Sequence, residues 1–188
     1  MFTKTIAAAA LVAAASAAPT GTTGSDTPSR TVSLTGVTHT VAAGRGALSF
    51  DPNNIFAQVG DVVEWHFAPK NHSVAQSSFG EPCKPLTDDS GAEVGFFSGF
   101  NFATTEGQSE NIFRITVEDP KPIWFYCSQT VGNHCQNGMA GSINQNPDSD
   151  FNLTAFRDKA RMSGVSVSPA MVQPASGVQI NPNPLAGF

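Results

Sequence analysis

Tyr126-Cys127-Ser128-Gln129-Thr130-Val131-Gly132-Asn133-His134-Cys135-Gln136-Asn137-Gly138-Met139 puts a thiol, an imidazole and a thioether into one turn-rich loop. The run Ile123-Trp124-Phe125-Tyr126 is aromatic and strand-like and delivers Cys127 to the start of that loop. A second strand-like run, Met139-Ala140-Gly141-Ser142-Ile143-Asn144, carries the chain away. Two strands joined by a loop that bears Cys, His and Met predict a metal centre at one end of a β-sheet.

Cys, His and a weak, distant Met are soft and borderline donors that suit copper, and such a site needs one more His. Copper cycles between a soft cuprous state and a harder cupric state. A site that serves both combines thiolate sulfur with neutral imidazole in one compromise geometry. The run Val62-Val63-Glu64-Trp65-His66-Phe67 is a strong strand, and His72 follows it at the strand end, where ligands can converge. His66 lies inside the strand and His39 in an earlier alternating one, so both read as ordinary strand histidines. The expected ligands are His72, Cys127, His134 and Met139, holding one copper ion per chain.

The cysteine count agrees. Three cysteines in a secreted chain leave one thiol free, intermolecular or engaged otherwise. With Cys127 as a metal ligand, Cys83 is left to pair with Cys135. A dimer-forming thiol would explain the count, though not the His and Met beside it.

Outward from these segments the chain reads as short strands between turn signals. Thr31–Val37 and Thr38–Val41 alternate, Ala47–Phe50 and Ile55–Val59 are short apolar runs, and Ser73–Gln76 follows His72. Asn111–Val117 alternates cleanly. Residues 77–110 are irregular and hold Cys83; four phenylalanines there, Phe96, Phe97, Phe100 and Phe102, are expected to fill core. The pattern predicts an all-β protein, a β-sandwich. Residues 147–164 have helical spacing, with Asp148 or Ser149 as cap and Gly164 as stop. Residues 165–188 are rich in Ser, Pro, Gly and Asn and predict a disordered tail.

The first 17 residues read as a signal peptide: Lys4 in a short n-region, an apolar run from Ile6 to Ala15, and the small-residue site Ala15-Ser16-Ala17. That run is too short to span a bilayer. Residues 18–30 are a flexible lead-in. The C-terminus lacks the apolar tail of a lipid-anchor signal. An extracellular, secreted protein without a membrane anchor is expected. Without Lys4 the chain has 9 basic and 15 acidic residues, 9 − 15 = −6. That balance, with no basic run, argues against a nucleic-acid partner. Asn71-His72-Ser73 and Asn152-Leu153-Thr154 are sequons; Asn152 is the expected glycan acceptor.

These residues resemble the cupredoxins, closest to the phytocyanin-like branch and to fungal extracellular cupredoxin-domain proteins. The likeness is carried by Gly60–Phe67 through Asn71-His72-Ser73-Val74, by Gln76–Phe79 with Pro82-Cys83, and by Pro122–Cys127 through His134–Met139. It spans about residues 31–146. It implies a Greek-key sandwich, one mononuclear type 1 copper on the four ligands above, and a disulfide between Cys83 and Cys135. Relatives commonly have four residues between the Cys and His ligands; here Ser128 to Asn133 make six.

The functional expectation is one-electron transfer with a secreted or cell-surface redox partner, and no enzymatic activity. The alternative is copper capture or delivery without a redox partner; a metal-free structural module is a third. Four histidines are too few for a multicopper oxidase, and no Gly-x-Ser-x-Gly motif points to a hydrolase.

Overall fold

The computed structural model describes residues 36–100, 102–170 and 178–181. The chain divides after Thr31, and everything described lies in the second unit. The signal peptide, the lead-in and most of the strand expected over 31–37 fall outside the described residues, as do 171–177 and 182–188 of the tail.

Among the described residues the strands are β1 (Thr38–Ala43), β2 (Phe50–Asp51), β3 (Asn54–Ile55), β4 (Val62–Phe67), β5 (Ala75–Ser77), β6 (Asn111–Thr116), β7 (Ile123–Tyr126), β8 (Ala140–Ile143) and β9 (Val178–Ile180), with one helix, α1 (Leu153–Met162). They form a five-stranded sheet, β2-β1-β4-β6-β9, and a four-stranded sheet, β3-β8-β7-β5. Both are mixed, because β1 runs parallel to β4 and β3 parallel to β8. The chain passes repeatedly between the sheets, giving the Greek-key β-sandwich expected from the sequence.

Alternation in β4 explains the packing. Val63, Trp65 and Phe67 are buried together with Val41, Phe113 and Ile115 of the same sheet and Phe125 and Ile143 of the other. Register stacks Val41, Trp65 and Phe113 across three strands. The Trp65 ring contacts Phe96, Phe113 and Phe125 at centroid distances of 5.3–5.9 Å. Burying one such side chain stabilises by about 1.5–3 kcal/mol. On the opposite face Glu64 accepts from His66 Nε2–H at 2.7 Å and pairs with Arg114 at 2.6 Å. His39 bonds Asp61 at 2.8 Å. Both histidines are structural strand residues, as their positions implied.

Strand β7 does not alternate in burial, because its sheet is covered on both faces. Phe125 enters the inter-sheet core, while Trp124 and Tyr126 pack outward with Phe97, Cys83, Cys135, Phe156 and Ala160. Helix α1 and the 77–100 excursion supply that cover. The excursion folds back along β5 through Phe96 O and Ser98 N–H. Phe96, Phe97 and Phe102 are buried, so the phenylalanines do fill core; Phe102 stacks on Phe67 at 3.9 Å.

Several boundaries differ from the sequence reading. The runs at 47–50 and 55–59 reduce to the two-residue strands β2 and β3. The helix is capped by Asn152, whose side chain accepts from the Ala155 N–H, not by Asp148 or Ser149. Ser149 instead accepts from the Asn152 amide at 2.8 Å. Residues 163–170, of which 165–170 were expected to be disordered tail, form a strap against the Cys127–Met139 loop. Gln136 bonds Ser163 and Ser166, Tyr126 Oη–H donates to Val167 O at 2.6 Å, and Val167 N–H donates to Cys83 O at 2.9 Å. Further on, β9 pairs with the edge of β6. Its side chains are exposed, so backbone bonds and the buried Asn181 amide, which donates to Gln108 Oε1 at 3.0 Å, hold it. Three exposed residues leave no hydrophobic periodicity to read.

Candidate metal centre

Two turns at one end of the sandwich converge. The first follows β4. Pro69 stops the strand, and Lys70 and Asn71 both take positive φ, 94° and 51°. This tight reversal, uncommon for non-glycine residues, turns His72 back into the protein, where it is 1% exposed. The second turn follows β7 and carries Cys127 and His134, which are 0% and 4% exposed.

The three groups meet. His72 Nδ1 lies 3.2 Å from His134 Nδ1, and Cys127 Sγ lies 3.4 Å from His134 Nδ1. One donor atom from each of the three falls within 4.8 Å of the others. Met139, the fourth residue expected from the sequence, is fully buried in the same core cluster as Cys127. Its backbone joins the other two: Cys127 N–H donates to Met139 O at 3.0 Å, and Met139 N–H donates to His134 O at 2.9 Å.

The surroundings set the state of each donor. His72 Nε2–H donates to Pro69 O at 3.0 Å, which fixes the tautomer and leaves the Nδ1 lone pair facing His134. Burial, with the nearby His134, pushes the His72 pKa down to about 4. Burial and the Lys70 charge lower that of His134. Both rings are therefore neutral donors at neutral pH. Burial raises the Cys127 thiol, opposed by hydrogen bonds from the Gln129 and Ser73 backbones and the Ser73 hydroxyl. The Ser73 N–H reaches the sulfur at 3.4 Å. A cation entering the site would displace the thiol proton.

The loop between Cys127 and Met139 is held tightly. Asn133 N–H bonds Thr130 O, His134 N–H bonds Gln129 O, and Asn137 N–H bonds Asn133 O. Gln129 donates from its side chain to Asn71 O at 3.2 Å and accepts the Val131 N–H at 3.0 Å, tying this loop to the His72 turn. Behind it, Cys83 and Cys135 form a disulfide with a Cα separation of 5.8 Å. Cys127 is the free thiol, as the cysteine arithmetic required.

Sequence reading missed the supporting residues. Gly44 takes φ +86°, and a Cβ built there would lie 2.0 Å from His72 Nε2. Nothing in the sequence marks that glycine as a neighbour of His72. Pro69, Ser73, Ser128 and Gln129 sit beside predicted ligands, and proximity in sequence was their one signal.

A β-sandwich with a buried His–Cys–His cluster where two inter-strand turns meet is the architecture of a cupredoxin. Comparison with known proteins agrees. The "Extracellular serine-rich protein" of Arthroderma benhamiae is 36% identical over 146 residues, 76% of this chain and 54% of that protein. The "Probable GPI-anchored cupredoxin-1" of the same fungus is 35% identical over 136 residues, 72% of this chain and 65% of that protein. The chain thus spans between about half and two thirds of the length of these curated relatives. A solved pseudoazurin from Hyphomicrobium denitrificans is 17% identical, with 67% of this chain and 96% of that one covered at a TM-score of 0.39. No protein-family model matches the chain. The chain is a relative of these two fungal proteins, one of them named a probable cupredoxin, and its sandwich and buried donor cluster are cupredoxin-like.

Proposed function

We propose that this is a secreted mononuclear type 1 copper protein that carries single electrons. One copper would be held by His72 Nδ1, Cys127 Sγ and His134 Nδ1, with the Met139 thioether as a weak fourth ligand. The observation that carries this reading is the buried donor set itself. Two imidazoles present Nδ1 to each other at 3.2 Å, and the free thiol lies 3.4 Å from one of them. Neutral imidazole and thiolate are the donors that suit both copper oxidation states. When bound, copper would supply the one-electron couple.

The chain's own residues would keep the geometry fixed. The Pro69 carbonyl orients His72, the Met139 backbone clamps Cys127 to His134, and the disulfide braces the loop. Close packing of this kind limits rearrangement between redox states. His134 lies beneath exposed Gly132, whose built Cβ would be 3.6 Å from the His134 ring. A partner docked on that turn would come within a few atoms of a ligand.

The same burial weighs against copper delivery. Hand-over needs ligands that an acceptor can reach, whereas His72, Cys127 and His134 are all buried. Nothing in this donor set calls for a substrate, and the reading assigns no enzymatic role. Secretion is supported by the order of n-region, apolar run and cleavage site in residues 1–17. The names of the two fungal relatives also support it. Among the described residues no helix is long and apolar enough to cross a membrane. Asn152 is the proposed glycan acceptor: it is partly exposed, and a glycosylated amide keeps one N–H for the Ser149 carbonyl.

The test is reconstitution with cupric ion, read by copper per chain, visible absorption and electron paramagnetic resonance. One copper, a strong thiolate-to-copper band and narrow hyperfine splitting are expected. The Cys127→Ser protein should fold and lose the band. No copper uptake, or a variant that stays equally blue, would defeat the proposal.

A further inference from the structure

The strap at residues 163–170 touches the metal-ligand loop through a line of serine hydroxyls. Ser168 Oγ–H donates to Ser128 Oγ at 2.9 Å. Ser128 Oγ lies 2.9 Å from Ser73 Oγ, and Ser73 Oγ lies 3.9 Å from Cys127 Sγ. Ser73 Oγ also accepts the Ser128 backbone N–H at 3.0 Å. Ser73 and Ser128 are buried, at 0% and 1% exposure.

We infer that Ser168 is a positioning residue of the metal centre, orienting the hydroxyls of Ser128 and Ser73 so that the Ser73 proton is aimed at the Cys127 sulfur. The copper-dependent part of this inference rests on the function proposed above. Each hydroxyl has one proton and two acceptor positions. If protons point from Ser168 to Ser128, from Ser128 to Ser73 and from Ser73 to Cys127, every hydroxyl proton in the line has an acceptor. Ser73 Oγ then accepts twice from Ser128, once from nitrogen and once from oxygen, and its own proton is left for sulfur. With Ser168 still donating to Ser128, the alternative has Ser73 donating to Ser128 as well. The buried Ser128 proton then loses its acceptor in the line, and the sulfur loses its hydroxyl donor. An unsatisfied buried donor is the costlier arrangement, and an ordered chain of hydroxyls polarises each member toward the next.

Ser168 itself is exposed, so the line ends at the surface. Replacing it by alanine opens the Ser128 hydroxyl to solvent. The Ser128 proton can then turn outward, and that of Ser73 can turn from sulfur to Ser128. The strap stays in place, because Val167 is bonded to Tyr126 and Cys83, and Ala170 N–H donates to Glu93 Oε2 at 2.8 Å. A hydrogen bond withdraws electron density from the thiolate, and hydrogen bonding around this sulfur tunes the potential of such centres. Its loss makes sulfur a stronger donor, which favours the cupric form and eases charge transfer to it.

The experiment compares full-length wild type, Ser168→Ala, Ser168→Thr and Ser166→Ala. In the copper-loaded proteins Ser168→Ala should move the thiolate-to-copper band to longer wavelength and lower the reduction potential. Threonine keeps the hydroxyl and should restore both. Ser166→Ala removes a strap bond to Gln136 without touching the line, and should change neither. In the metal-free proteins the Ser128 amide proton resonance should shift for Ser168→Ala and not for Ser166→Ala. An unmoved amide resonance overturns the inference whether or not copper binds. A shifted amide with an unchanged band and potential also overturns it, since the line would then stop short of the sulfur. A wild-type protein with no thiolate-to-copper band defeats the copper proposal separately, and the amide shift still decides the proton order.

Discussion

Gly44 offers the sharpest test of how the site is held. Its backbone takes φ +86°, and a methyl group there would lie 2.0 Å from His72 Nε2 and 2.4 Å from Cδ2. Non-bonded heavy atoms settle at about 3.5 Å or more, so Gly44→Ala asks the ring to retreat by roughly 1.5 Å. His72 Nδ1 lies 3.2 Å from His134 Nδ1, so a shift of that size takes it out of the cluster and breaks its bond to Pro69 O. Alanine in the left-handed region adds about 1–2 kcal/mol, and overpacking about 1–3 kcal/mol. The sum, about 2–5 kcal/mol, corresponds to roughly 4–20 °C in Tm for a domain of this size. Gly46→Ala is the control: φ is +72°, and nothing lies within 4 Å of its built Cβ. It should lose only the backbone term, about 1–2 kcal/mol, and keep its copper spectrum. The assay is thermal unfolding of both metal-free proteins, followed by cupric titration monitored at the thiolate band. If Gly44→Ala matches Gly46→Ala in melting and in spectrum, close contact with Gly44 is not what holds His72.

Two further outcomes follow from the same structure. Replacing Cys83 and Cys135 together by serine should destabilise the protein by about 2–5 kcal/mol, read by denaturant unfolding. Alkylation of the unreduced, unfolded wild type should label Cys127 alone, and labelling of Cys135 would contradict the pairing. Glu64 gives a pH dependence: burial alone would raise its pKa, but hydrogen bonds from His66 and Arg114 outweigh it and hold the carboxyl below its ordinary range. A pKa depressed by folding adds stability that is fully present above the unfolded value and is lost as pH falls through the folded one. Glu64→Gln should therefore lower stability at pH 7 by about 2 kcal/mol and flatten the acid-side decline. Parallel pH–stability curves for the two proteins would count against this.

Legibility tracked the length scale of the interaction. Strand β4 and its sheet neighbour β6 were readable because six residues each repeat one physical requirement, a buried face. The candidate donors were readable because their chemistry is rare and Cys127, His134 and Met139 share one loop. Strand β9 was not, since all three of its residues are exposed and only its partner edge makes it a strand. The Asn152 cap was obscured by two equally good cap residues just before it. Gly44 and Ser168 lie 28 and 96 residues from His72, and nothing local to either marks a contact that exists only after the sandwich closes.

Six residues separate Cys127 from His134, two more than the resemblance in sequence implied. The structure shows how the added length is absorbed. A longer loop spreads its ligands only if it is extended, and this one is wound. Bonds from Asn133 N–H to Thr130 O and from His134 N–H to Gln129 O fold the surplus outward, leaving Val131 79% exposed. The ends stay together, with Cys127 Sγ 3.4 Å from His134 Nδ1. Gln129 then fastens the wound segment to Asn71 O, so the turn before His72 and the loop after Cys127 move as one. Loop length and ligand geometry are thereby uncoupled. The surplus forms an exposed knob around Gly132 above His134, where it alters the surface a partner would meet and leaves the donor set beneath it intact.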